Sequence, residues 1–139
     1  RHNSEIEQEI KKYTKGKFSF TFTPHLIPMF RGILSAIYLD LNNGITANNL
    51  YNQLTKFYKK SNFIKIVKMN TLLSTDEVIN SNYCKISVCK SKYKNKVIIF
   101  SVIDNLIKGG AGQAVQNMNI LKNFRLNEGL RWKNIYFFF

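Results

Sequence analysis

The sequence is poor in several things, and each shortage removes a class of answer. It has only two cysteines, Cys84 and Cys89, in 139 residues. A secreted disulfide scaffold would normally carry more. The two lie five apart on one expected strand, so they point to opposite faces and cannot pair without distortion. Neither has a CxxC partner or an adjacent base, which leaves little for a metal site or a nucleophile, and no metal is expected. No apolar run approaches the ~20 residues needed to cross a bilayer. The first seventeen residues are polar and charged, so no signal-peptide pattern opens the chain. The closing Ile135–Phe139 is apolar but far too short to span. Acid is scarce as well: 8 acidic residues face 21 basic ones, for a net charge of +13. Such a balance fits nucleic-acid binding, or only a basic surface on part of a larger chain. Most of the positive charge is Lys, the weaker choice for specific phosphate or base recognition. The first residue is Arg1, not Met, which suggests a fragment or a processed chain.

What is present is 45% hydrophobic residues, enough for one compact domain. Ser4-Glu5-Ile6-Glu7 reads as a capping box that starts a helix to about Tyr13, closed by Lys15-Gly16-Lys17. Phe18–Thr23 alternates strictly and predicts a half-buried strand. Pro24 and Pro28 bracket a rigid segment, and Ile33–Leu41 predicts a long strand. Asn42-Asn43-Gly44 is a turn, and Thr46 caps a helix to about Lys60 with Leu50, Leu54, Phe57 and Tyr58 at helical spacing. Short strands are expected at Phe63–Val67 and Tyr83–Cys89, with an irregular stretch over Met69–Ser81. Lys96–Asp104 is the strongest strand, apolar enough to be central. A Gly-rich turn, Lys108–Gly112, leads into a helix to about Leu121 with Ala111, Ala114, Val115 and Met118 as its buried stripe. This order predicts an α+β domain with a mixed, mostly antiparallel sheet covered by helices. No repeat or second domain is visible.

Three segments could carry chemistry. His2 stands just before a helix N-terminus, where the local field favours neutral imidazole, able to act as base or donor; a surface histidine is the plain alternative. Thr23–Gly32 is a proline-fixed loop that ends in Arg31-Gly32 and runs straight into a strand. It either aims Arg31 at an anionic substrate or merely connects, with Arg31 solvated. Val102–Asn117 ends a central strand at Asp104-Asn105 and opens a helix through glycines, a place where ligands bind in sheet proteins. Its glycines fit neither GxGxxG nor GxxxxGKT, so they support no Rossmann or P-loop reading, and a tight strand-to-helix turn would look the same.

Together these segments resemble the second half of N-acetyl-gamma-glutamyl-phosphate reductase. That family runs from HRHxPEIEQ through FTPHLxPMxRGIL to SVIDNLxKGAxGQAVQNMN. This chain reads Arg1-His2-Asn3-Ser4-Glu5-Ile6-Glu7-Gln8, then Phe22 to Leu34, then Ser101 to Asn119; Asn82-Tyr83-Cys84 also matches. The pattern departs at Ser4, where Pro is usual, at Phe30, and in the tail after Leu130. The resemblance implies the C-terminal domain of the glyceraldehyde-3-phosphate dehydrogenase-like fold. Residues 1–122 would be the substrate-binding, catalytic and dimerisation domain, and 123–139 a tail. The nucleotide-binding domain and catalytic Cys would lie outside this chain, which alone would be inactive. The implied reaction is NADPH-dependent reduction of N-acetylglutamyl 5-phosphate to the 5-semialdehyde with phosphate release, in arginine biosynthesis, in the cytoplasm and in a homo-oligomer. In that chemistry a Cys thiolate attacks the acyl phosphate, phosphate leaves, and hydride reduces the thioester.

The resemblance also implies roles. His2 matches the active-site His region, whose other His would precede Arg1. Arg31, assisted by Arg1, would bind a substrate carboxylate or phosphate. Asn105 would lie near the nicotinamide carboxamide of NADP, with Lys108 and Gly109 lining the same cleft. The helix from Ala111 would pack on the nucleotide-binding domain, and His25 would be structural. The competing readings are a basic nucleic-acid-binding module and a noncatalytic oligomerisation domain.

Overall fold

A computed structural model describes residues 2–14, 16 and 18–130. Arg1, Lys15, Lys17 and the apolar terminal segment lie outside the described residues. Helix α1 spans His2–Tyr13, followed by strand β1 at Ile33–Asp40 and helix α2 at Ala47–Tyr58. Strands β2 (Ile64–Ile66), β3 (Cys84–Lys90) and β4 (Lys96–Ile103) come next, and helix α3 (Gly112–Leu121) closes the order. The sheet runs β1-β4-β3-β2. Two of its pairings, β1 with β4 and β3 with β4, are antiparallel, and β2 with β3 is parallel. The architecture is the mixed, mostly antiparallel α+β sheet that the element order implied, with Lys96–Ile103 as an inner strand.

Small β-branched side chains make the core. Val88, Val97, Val102 and Val78 are buried with Phe63, Cys89 and Leu130. Cys84 and Cys89 are both free; Cys84 is half-buried near the Ser101 hydroxyl at 3.4 Å, and Cys89 is buried. Helix α2 begins at a reciprocal cap, in which Thr46 accepts from Asn49 N–H and Asn49 Oδ1 accepts from Thr46 N–H. Its expected apolar face is half-buried at Leu50, Leu54 and Tyr58, but Phe57 is 77% exposed.

Three local expectations change. The first helix already runs from His2, so Ser4 lies inside its first turn and is not the cap. That helix buries no residue and carries Glu7–Lys11 and Glu9–Lys12 pairs on its surface at 2.8 and 2.6 Å. Phe18–Thr23 forms no strand: it pairs with neither outer edge of the sheet, and alternation without a ladder partner does not make a strand. Phe18 and Phe20 stack on each other instead, with centroids 6.1 Å apart. In α3 the buried positions are Gly112 and Asn119; Ala111, Ala114 and Met118 are exposed and Val115 is half-buried. The helix docks by a close glycine contact and a polar anchor, since Asn119 Nδ2 donates to the carbonyls of Leu126 and Glu128 at 3.3 and 2.9 Å. Its apolar stripe is left uncovered by the described residues.

The antiparallel register pairs Ile33 with Ile103. Continued one step outward, it brings Arg31-Gly32 alongside Asp104-Asn105. Gly32 sits there with φ +106°, and a Cβ on it would fall 2.6 Å from Thr75 Cβ. Gly32→Ala should therefore cost about 2–4 kcal/mol of stability, combining left-handed strain with overpacking. Gly44→Ala, at φ +81° but with nothing near its Cβ, should cost only about 1 kcal/mol. Thermal unfolding of the two variants checks this; equal losses would show that Thr75 yields without cost.

Candidate active site at the β1 and β4 ends

A carboxylate with 0% side-chain exposure needs compensation for the water it has lost. Asp104 finds it in backbone donors. Its Oδ1 accepts from Leu106 N–H at 2.8 Å and Ile107 N–H at 2.9 Å. Its Oδ2 accepts from Asn80 N–H at 2.8 Å. Arg31 Nε lies 2.9 Å from the same Oδ2, a close charge contact without the alignment of a directed hydrogen bond. Burial pushes the Asp104 pKa up, but the N–H groups of Ile107, Asn80 and Leu106, with Arg31, outweigh it and hold the group below its ordinary 3.8.

Asn105 acts on the next residue of the partner segment. Its Oδ1 accepts from Gly32 N–H at 2.8 Å, across 73 residues of sequence. That bond leaves the Nδ2 donor uncommitted among the described residues. The chain then turns through Ile107–Ala111 with wide π-type hydrogen bonds, Gly109 N–H to Asp104 C=O at 2.9 Å and Ala111 N–H to Leu106 C=O at 2.8 Å.

Beside this turn lies a second polar group. Lys108 Nζ donates to Gln113 Oε1 and Gln116 Oε1, each at 2.9 Å, and sits 5.8 Å above the Phe63 ring. Burial lowers the Lys108 pKa, while Cys84 opposes that shift. Asn82, 1% exposed, donates from Nδ2 to the same Gln116 oxygen at 3.1 Å. Its Oδ1 is buried without a hydrogen bond and packs on Gly112, where a Cβ would collide with it and with Ile107. The glycine therefore sets how closely α3 approaches Asn82.

The expected site residues thus separate. Arg31 and Asn105 come together with Gly32 and Asp104, and Lys108 and Gly109 follow in the adjoining turn. His2 is elsewhere in its contacts: exposed on α1, it lies 3.4 Å from Glu5 Oε2 and meets the Phe22 ring edge-on at 6.1 Å. Arg1 lies outside the described residues. His25, expected to be structural, is exposed. Asp104, Asn82 and Gln116 were not singled out from the sequence. The readable signal was Asp104-Asn105 itself, a polar pair ending the most apolar strand. Among the described residues no three His, Cys, Asp or Glu side chains cluster as metal ligands would, and no helix is long and apolar enough to cross a membrane.

Solved structures place the fold. The chain superposes on aspartate semialdehyde dehydrogenase II from Vibrio cholerae, solved complexed with ASA, with a TM-score of 0.54 at 19% identity, over 70% of this chain and 29% of that one. A second structure of aspartate semialdehyde dehydrogenase II from the same organism gives 0.52 at 17% identity, over 71% and 30%. The architecture is the glyceraldehyde-3-phosphate dehydrogenase-like dimerisation fold. More narrowly, residues 1–105 match the family model described as semialdehyde dehydrogenase, dimerisation domain, and the chain belongs to that family. It is similar to curated proteins named N-acetyl-gamma-glutamyl-phosphate reductase. The one from Thermoanaerobacter pseudethanolicus is 46% identical, over 98% of this chain and 40% of that protein. Those from Desulfotalea psychrophila and Staphylococcus aureus are 45% and 42% identical, over 94% and 98% of this chain. The chain spans about 40% of the length of these relatives.

The Asp104 carboxylate carries a pH signature. A group whose folded pKa lies below its unfolded value adds stability that is complete above the unfolded pKa and lost as pH falls through the folded one. The protein should lose stability as pH drops below 3.8. Asp104→Asn should flatten that acid limb and lower stability at neutral pH by about 3 kcal/mol, because Arg31 and the backbone donors lose their counter-charge. Denaturant midpoints measured from pH 7 to pH 3 test both; an unchanged acid limb would mean that Asp104 does not titrate in this way.

Proposed function

We propose that this chain is the substrate-side part of an N-acetyl-gamma-glutamyl-phosphate reductase, which reduces N-acetylglutamyl 5-phosphate to the 5-semialdehyde with release of phosphate, in arginine biosynthesis. The observation that carries the reading is the 42–46% identity to such reductases along nearly the whole chain. The local geometry supports it, because Arg31 and Asn105 stand at one pair of strand ends. Residues 1–122 form the substrate-binding and dimerisation domain in this reading. The nucleotide-binding domain and the reactive thiol belong to the rest of the protein. It works in the cytoplasm as a homo-oligomer, a dimer or tetramer. Strand β1 supports an assembly, since all eight of its residues are exposed, including Ile33, Leu34, Ile37 and Leu39.

The roles follow from donor and acceptor chemistry. NADPH supplies the hydride when bound. Asn105 would hold its carboxamide: with Oδ1 committed to Gly32, Nδ2 is the donor it would have to offer. Lys108 and Gly109, in the turn that follows, line the same cleft. Arg31 offers a guanidinium to the carboxylate or phosphate of the substrate, assisted by Arg1. His2 takes the thiol proton as a general base, or, once it carries that proton, gives it to the oxygen of the tetrahedral adduct.

The direct test is the reverse reaction of the full-length protein, with N-acetylglutamate 5-semialdehyde, phosphate and NADP⁺, following NADPH absorbance. Phosphate-dependent NADPH formation is expected, and His2→Ala should lower kcat by about 100-fold, the usual scale for losing a general acid or base. Unchanged activity in that variant would move the proton transfer to another group. No activity from the well-folded protein would sink the reductase reading.

A further inference from the structure

Asp104 and Asn105 grip the Arg31-Gly32 pair at two points. Asp104 Oδ2 meets the Arg31 side chain at Nε, and Asn105 Oδ1 takes the Gly32 backbone N–H. The loop leading to Arg31 could not do this work. Residues 18–30 form no strand and are largely exposed, so two rigid prolines alone leave the arginine unaimed. Three backbone N–H groups already share the Asp104 charge, from Asn80, Leu106 and Ile107. The carboxylate is therefore only partly available to quench the guanidinium. Arg31 approaches it closest through Nε, a charge contact without a directed hydrogen bond, at 19% side-chain exposure, and no hydrogen bond of its terminal nitrogens is made among the described residues. A guanidinium held at its stem with its fork unspent is the arrangement that receives a pair of anionic oxygens end-on, through its two terminal nitrogens.

We infer that Asp104 is a positioning residue that anchors Arg31 at Nε and so leaves the guanidinium fork to the substrate's anionic oxygen pair. The inference rests on the reductase reading of the chain and adds to it a residue that never touches substrate. A carboxylate and a phosphate offer the same oxygen pair. The reverse reaction separates them, because the semialdehyde brings the carboxylate and inorganic phosphate is varied independently.

The experiment uses the full-length protein in that reverse assay, comparing wild type, Arg31→Ala, Asp104→Asn and the double variant. Arg31→Ala and Asp104→Asn should each raise the KM of the same anionic substrate by about 10-fold, with kcat held within about 3-fold and the KM of NADP⁺ unchanged. Asp104→Asn should add less than about 2-fold in the Arg31→Ala background, since it acts through Arg31. An Asp104→Asn penalty of the same size with and without Arg31 would overturn the inference, as would a normal KM in Asp104→Asn beside a raised one in Arg31→Ala. A normal KM in Arg31→Ala would overturn it too, while leaving the reductase reading standing. A folded wild type without phosphate-dependent activity would remove that reading and the inference with it. Should Asp104→Asn fail to fold, Arg31→Lys decides: it keeps the charge but lacks Nε and the fork. A KM within about 3-fold of the Arg31→Ala value supports the anchor, and a wild-type KM overturns it.

Discussion

A carboxylate removed from water loses strong hydration, and folding tolerates it only if other donors take over. Asp104 is in that position, and its compensation organises the strand ends. The donors come from three separate parts of the chain: Asn80 before β3, Leu106 and Ile107 just past β4, and Arg31 before β1. Any displacement of one segment exposes the charge to an unpaired partner. One buried acid thus ties the loop before β3, the turn into α3 and the entry to β1 into a single arrangement.

The rest of the site depends on this knot. Gly32 donates to Asn105 just beyond the Ile33–Ile103 pair, where the β1–β4 ladder ends. Gly32 itself must be glycine, since Thr75 occupies the space a side chain would need. On the other side, Gly112 lets α3 come against Asn82, whose amide shares the Gln116 oxygen with Lys108. Backbone approach at two glycines and polar contacts at two strand ends therefore set the geometry, more than the bulk of the core does.

The apolar surface left uncovered follows the same division. Strand β1 pairs on one edge with β4 and is exposed along its whole length, while α1 buries nothing. Met118 on α3 is 48% exposed and Leu121 more so. The buried core of the described residues is small and rich in valine.

Much of this was legible in the residues. Hydrophobic runs located β1, β3, β4 and both later helices, because strands and helices with strong periodicity are local features. The motifs ending in Arg31-Gly32 and Asp104-Asn105 marked the strand ends that the structure brings together as the candidate site. The sequence by itself determined most of the elements, the glycine turns and the family. Tertiary structure decided what those elements meet. Phe18–Thr23 alternates like a strand but pairs with no strand, and α3 turns polar Asn119 inward where Met118 was expected. It also decided that Asp104 is ion-paired with Arg31 and hydrogen-bonded to backbone donors rather than solvated. These outcomes depend on which segments lie within about 3 Å of one another after folding, a distance that hydrogen bonds require and that no local pattern encodes.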